Sequence, residues 1–208
     1  MFNSLFTNPL SFLIWMVALL TAITVHEFAH AWTADRLGDP TAKLKGRLTL
    51  NPIAHLDPLG SLMLLIFQFG WGKSVPVDPY NLRHPRRDSA LISLSGAVAN
   101  IFLATVLAIA IRFAPNLNFF FTPIIVLNII LAVFNLLPVH PLDGGKVLVG
   151  ILPEKSAREV DEFLGQYGTF ILLGLLFLPL NGPSLISQII SPIISAILSL
   201  LLPAAPMI

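Results

Sequence analysis

No Asp, Glu, Lys, Arg or His occurs in the first 25 residues, and the first such side chains to appear are His26, Glu27 and His30. The apolar pattern runs from Leu10 through Val25 into that polar group and ends near Arg36, Leu37 and Gly38. A stretch of this length satisfies its backbone in hydrocarbon only as a helix, so the chain is constrained from the start to carry ionisable groups within membrane depth. Such groups are costly there unless they are paired or coordinated. A secretory leader would have a basic start and a small-residue cleavage site; Met1 to Leu10 has no Lys or Arg, so the segment reads as retained.

Composition agrees. With 12 Lys+Arg and 11 Asp+Glu in 208 residues, 11% of positions are charged, against about 25% in soluble domains. The hydrophobic share is 55% and the mean hydropathy +0.82. These values predict one all-α polytopic membrane domain over 1–208, and exclude disorder, collagen-like repeats and coiled coils. A net charge of +1 supplies no basic face for phosphates, so no nucleic-acid partner is expected. The absence of cysteine removes disulfides, thiolate metal sites and cysteine nucleophiles, leaving His and carboxylate as metal donors.

Charge-free runs mark the remaining spans: 89–111 between Asp88 and Arg112, roughly Phe120 to Leu137, and the 46 residues from 163 to 208. Pro179, Asn181, Gly182 and Pro183 interrupt the last run, which predicts a hairpin of two helices within about 167–203. The expected fold is a bundle of about five transmembrane helices with its core at about 10–145. Leu59 to Trp71 is apolar but short, and reads as a re-entrant segment. With the N-terminus external, every Lys and Arg except Arg112 falls on the inside, and a full span at 59–71 would spoil that bias. The expected location is the plasma (inner) membrane, and the charge bias puts the His26–His30 end of the first helix near its cytoplasmic side. Over 41–50, Lys43, Lys45 and Arg47 alternate with Leu44, Gly46 and Leu48, the period of a short β-hairpin or edge strand. Pro153 to Gly165 reads as an amphipathic surface helix leading into the last hairpin.

His26-Glu27-Phe28-Ala29-His30 matches H-E-x-x-H. Positions i and i+4 share a helix face, so two imidazoles can hold one Zn²⁺ while the adjacent Glu takes a proton from water. A catalytic zinc takes three protein ligands, and Asp143 leads as the third. It follows Asn135-Leu-Leu-Pro138-Val-His140-Pro141-Leu in a segment where two prolines break the third span and Gly144 and Gly145 let the backbone turn. By the topology above, Asp143 lies on the same side as His26 and His30. His140 is the alternative ligand, and His55 either approaches the cleft or caps its loop.

Taken together, these motifs resemble the site-2 proteases, zinc intramembrane metalloproteases, and in particular compact prokaryotic members without a PDZ domain. The resemblance spans Thr24 to Gly145, through the H-E-x-x-H, Asn51-Pro-Ile-Ala-His55-Leu-Asp57-Pro58, Ser95-Gly-Ala-Val-Ala-Asn100 and Asn135 to Gly145. It implies one Zn²⁺ per chain on His26, His30 and Asp143, with Glu27 as general base and acid. It also implies cleft positions for Asn135 and Asn100, although Ala97 stands where the family often has proline. The implied activity is metal-assisted hydrolysis of peptide bonds in or near the membrane segment of a single-span substrate protein, within the lipid bilayer. The strand near 41–50 would then pair with the unwound substrate. A divalent-cation transporter using the same His/Asp site is the rival reading; Glu27 separates the two, because hydrolysis requires it and transport does not. The oligomeric state is not legible in the sequence.

Overall fold

A computed structural model describes residues 8–67, 72–178 and 183–202. The elements are α1 (Pro9–Leu37), α2 (Thr41–Leu44), α3 (Pro58–Phe67), α4 (Pro85–Phe113), α5 (Asn118–Asn135), α6 (Asp143–Ile151), α7 (Glu154–Phe177) and α8 (Leu185–Leu201). Short 3-10 turns lie at Pro52–His55, Pro79–Asn81 and Pro115–Leu117. Four of these segments are long and apolar enough to cross a membrane: α1, α4, α5 with its preceding turn, and α7, while α8 is a shorter apolar helix. The chain is thus a multi-pass, helical membrane protein, with four candidate spans among the described residues rather than about five.

The bundle is built on four-residue stripes. On α1 the buried positions Ile14, Ala18, Ala22, His26, His30 and Ala34 recur every fourth residue. On α4, Asp88, Ile92, Gly96, Asn100, Ala104 and Ala108 do the same. Residues spaced by four form one ridge of a helix, and small side chains on it let two backbones approach closely. These two helices pack against each other and against α5, which buries Ile125, Asn128, Ile129, Ala132 and Val133. Farther along α4, Ala104 and Ala108 join Ile125, Ile129, Val133 and the α8 residues Ile194 and Leu198 in a wholly apolar core.

Local chemistry sets the ends of α1. The Asn8 side chain accepts the Ser11 N–H at 3.1 Å, Pro9 takes a first-turn position that needs no donor, and Gly38 stops the helix at φ 109°. Directly after it, the fully buried Asp39 carboxylate accepts from the Thr41 N–H (3.0 Å) and hydroxyl (2.5 Å), the Asp78 N–H (2.7 Å) and Asn81 Nδ2 (2.9 Å). Burial pushes its pKa up, but these hydrogen bonds outweigh burial and hold it below the usual carboxylate range. Asp39 therefore ties the end of α1 to the approach to α4.

Three expectations are corrected here. The β-hairpin over 41–50 is absent: Thr41–Leu44 is a helical turn, and Gly46 at φ 67° closes it, with the Arg47 N–H returning to the Ala42 carbonyl at 2.8 Å. A left-handed residue inside the stretch breaks the alternation a strand needs. Among the described residues the β-structure is a single bridge, Leu56 with Gly72. The re-entrant segment is not supported either. Its described part is the ten-residue α3, at about 15 Å half the thickness of a bilayer core, and nothing in the fold places it within one; residues 68–71, including Trp71, lie outside the described residues. Finally, the surface helix at 153–165 and the first arm of the hairpin are one continuous helix, α7. No proline interrupts it, and Gly168 lies where an added Cβ would meet the His140 carbonyl oxygen at 2.6 Å, so the helix docks there instead of bending. The interruption at 179–182 lies outside the described residues.

Candidate metal centre

His26 and His30 occupy consecutive positions on the buried stripe of α1, with ring centroids 4.5 Å apart and planes nearly perpendicular. Asp143 is the first residue of α6, where the helix N-terminus favours a carboxylate. Its Oδ2 lies 3.0 Å from His26 Nε2 and 3.1 Å from His30 Nε2. Among the described residues, these three form the group able to share a metal ion.

The outer nitrogens show what the inner ones present. His30 Nδ1 is 2.7 Å from the Ile92 carbonyl, which can only accept, so Nδ1 carries the proton. His26 Nδ1 is 3.1 Å from Asn100 Oδ1. The orientation of that amide is fixed by its neighbours: Asn100 Nδ2 donates to the Ala22 carbonyl (3.1 Å) and to Asn128 Oδ1 (3.0 Å), and Asn128 Nδ2 donates to the Ile124 carbonyl (2.8 Å). With Nδ1 of both rings engaged outward, both Nε2 atoms face one carboxylate oxygen, and a cation among the three would be held by two imidazole lone pairs and the carboxylate. Tetrahedral zinc with bonds of about 2.0–2.1 Å sets its donors roughly 3.3 Å apart, close to the separations here. The residues fit zinc, and the carbonyl and amide behind each ring are the partners that fix tautomer and ring orientation.

Space for the rings comes from Gly96 on α4, where an added Cβ would lie 2.6 Å from Cε1 of both His26 and His30. Gly144 serves α6 in the same way, since a Cβ there would strike the carbonyls of Leu136 and Leu137. Gly144 and Gly145 were expected to turn the backbone; instead both lie in α6, and close approach is their reason.

Glu27 is half-buried beside the ligands, and its Oε2 accepts the Val75 N–H at 2.9 Å. Asn135, the last residue of α5, is half-buried and donates to its own helix at the Leu131 carbonyl, 3.1 Å away. Asn100 is fully buried behind His26 rather than in a cleft. His55 is also fully buried, with Nε2 on the Thr49 carbonyl at 2.8 Å, and so belongs to its loop. His140 turns away from the centre to pair with Asp161 of α7 at 3.0 Å, which leaves Asp143 as the third member of the group. Sequence reasoning missed Gly96 as the residue that makes room, the Ile92 carbonyl, Asn128 and the Val75 amide. The four-residue spacing of Ile92, Gly96 and Asn100 was the available signal for the first two.

Comparison with known proteins agrees with this chemistry. The model for peptidase family M50 matches residues 112–179. The chain is 37% identical over 186 residues to YwhC of Bacillus subtilis, covering 83% of this chain and 84% of that protein. It is 33% identical over 186 residues to Rip2 of Mycolicibacterium smegmatis, covering 83% and 71%. With MJ0392 of Methanocaldococcus jannaschii it shares 23% over 187 residues, covering 86% and 47%. Each of the three bears the words zinc metalloprotease in its name. No solved structure matches the chain. The resemblance read from the motifs therefore holds, and the cation-transport reading is not favoured: the chain belongs to peptidase family M50, the site-2 proteases, and is a zinc metalloendopeptidase.

Proposed function

We propose that this chain is an intramembrane endopeptidase of the plasma membrane, cutting single-span membrane proteins in or near their membrane segments. The supporting observation is the position of the ligand pair on a span. The 29 residues of α1 measure about 43 Å at about 1.5 Å each, against a hydrocarbon core of about 30 Å. If the core begins near Pro9 it ends about 20 residues later, so His26 lies just inside that boundary and Asp35 and Arg36 beyond it. The Lys/Arg distribution supports placing this end of α1 on the cytoplasmic side, with the N-terminus outside.

In this reading His26, His30 and Asp143 would hold the zinc, which when bound would supply Lewis acidity. Glu27 accepts the proton from the attacking water through the oxygen not engaged by Val75 and delivers it to the leaving amine. Asn100 and the Ile92 carbonyl keep each imidazole presenting its Nε2 lone pair throughout. Because Thr41–Leu44 is a helical turn, substrate pairing through 41–50 is not part of this proposal.

The test is cleavage of labelled single-span peptides by the purified protein, with and without chelator. Chelation should abolish cutting. Glu27→Gln should keep near-stoichiometric zinc and lose cleavage, because the three ligands remain while the proton acceptor is gone. Cleavage by that variant at the original rate would overturn the mechanism, and a catalyst indifferent to peptides in bilayers would overturn the membrane substrate.

A further inference from the structure

The loop between α2 and α3 places a buried cation, Arg47, against the stretch between α3 and α4, and no function described so far uses it. Arg47 is 6% exposed, and among the described residues no carboxylate pairs with it. Its guanidinium Nη2 donates to the Lys73 carbonyl and, at 3.5 Å, to the Ser74 carbonyl, while its buried Nε has no partner among the described residues. Burying a cation against neutral carbonyls is expensive. The interactions obtained in return fix the backbone of Lys73 and Ser74. The next amide is Val75 N–H, the donor to Glu27 Oε2 at 2.9 Å.

We propose that Arg47 is a positioning residue for the general base: by clamping the carbonyls of Lys73 and Ser74 it holds the Val75 amide against Glu27, which fixes that carboxylate's rotamer and leaves its other oxygen to accept the proton. The proposal rests on the protease reading above for its catalytic consequence, although the contact itself does not. Other links hold the same stretch at both ends. Upstream, the Lys73 N–H donates to the His55 carbonyl at 2.9 Å beside the Leu56–Gly72 bridge; downstream, the Asp78 N–H donates to Asp39 at 2.7 Å. Val75 therefore lies in a tethered segment lying over α1, with Arg47 the side chain that sets its middle. Pro76 also restrains Val75, because a residue before proline avoids the helical region. A lysine in place of Arg47 would offer one ammonium where the planar guanidinium presents several donors in a fixed array.

The experiment uses the full chain purified in detergent, with four variants: Arg47→Met, Arg47→Lys, Val75→Pro and the Arg47→Met/Val75→Pro pair. Zinc content, kcat and KM on a single-span peptide, and hydrogen exchange at the Val75 amide are measured. Arg47→Met and Val75→Pro are each expected to keep zinc and to lower kcat at least tenfold with KM within threefold. The double variant should be no slower than the worse single one, since both remove the same contact, and Arg47→Lys should fall between Arg47→Met and the unaltered protein. Exchange at Val75 should accelerate at least tenfold in Arg47→Met, and likewise in Glu27→Ala. Unchanged kcat with zinc retained, loss of zinc together with activity, or additive losses in the double variant would each overturn the proposal. If the unaltered protein cuts no peptide, the protease reading fails by itself, and exchange still decides the contact: Val75 protection that survives Arg47→Met overturns the positioning role.

Discussion

Helix α4 is two materials along one stripe. From Asp88 to Asn100 its buried face meets His26 and His30 across Gly96 and hydrogen-bonds through the Ile92 carbonyl and Asn100. From Ala104 onward the same stripe belongs to an apolar cluster with Ile125, Ile129, Val133, Ile194 and Leu198. In a bilayer the apolar half gains little from leaving lipid, which is as apolar as the core, and holds by close packing of small and branched side chains. The polar half has no such latitude, because each buried donor or acceptor without a partner costs several kcal/mol in hydrocarbon. Perturbations near the histidines should therefore appear in metal binding, and those beyond Asn100 in stability alone. Zinc affinity is the common scale on which the two halves can be set against each other.

The largest effect is expected at Asp143. Asp143→Ala leaves two imidazoles, too few for a structured zinc site, so zinc and peptidase activity should both disappear, by metal analysis and peptide cleavage. Full zinc occupancy in this variant would move the third ligand elsewhere and remove α6 from the polar half.

Gly96→Ala comes next. The added methyl would lie 2.6 Å from Cε1 of both ligand rings, which must then move apart or push α4 away. Zinc affinity should fall at least tenfold by competition with a chromophoric chelator. Unaltered affinity in the Gly96→Ala variant would show that the ridges slide freely, as they do in the apolar half.

The motifs that made the centre legible are local ones. Two candidate ligands four apart on a helix appear in the sequence because the helix itself sets their spacing, and Asp143 could be added as a third once the charge pattern suggested one side for both segments. The roles of Asn100 and Asn128 were out of reach, since a buried amide that orients a ligand and one that lines a cleft look alike until the neighbouring carbonyls are known. The Val75 contact with Glu27 was hidden for a stronger reason: its donor is a backbone amide, which no residue type announces. The error at 41–50 has the opposite origin. Lys43, Lys45 and Arg47 alternate as a strand would, but the alternation is a coincidence of a helical turn, a left-handed Gly46 and an arginine drawn inward to the Lys73 and Ser74 carbonyls.

A smaller effect is expected at Asn100→Leu. The substitution keeps volume but removes the acceptor behind His26 Nδ1 and the Asn100 donor to Asn128 Oδ1. Loss of such an outer partner typically costs about 10–100-fold in metal affinity. Isothermal titration of the metal-free protein with zinc would measure it; affinity equal to that of the parent would mean that α1 alone orients His26.

The smallest effect on zinc belongs to the apolar half. Ile129 is fully buried in the apolar cluster of α4, α5 and α8 and adjoins Asn128, whose Oδ1 accepts from Asn100 Nδ2. Ile129→Ala removes three carbons from a packed site. In soluble cores such a deletion costs about 2–5 kcal/mol, and in a bilayer much of that survives, because the cavity forfeits dispersion contacts whether the surroundings are water or lipid. Thermal unfolding in detergent should therefore shift downward while zinc affinity stays within about threefold of the parent, since no hydrogen bond to His26 or His30 passes through this residue. The neighbouring amide makes this a demanding test: Ile129 and Asn128 share a helix turn, so relaxation into the cavity could rotate Asn128 away from Asn100. A zinc affinity that falls with stability would show that the two halves of the stripe are mechanically one, and that packing beyond Asn100 sets ligand geometry. A stability loss with zinc unchanged would place their boundary between Asn128 and Ile129, within a single residue step.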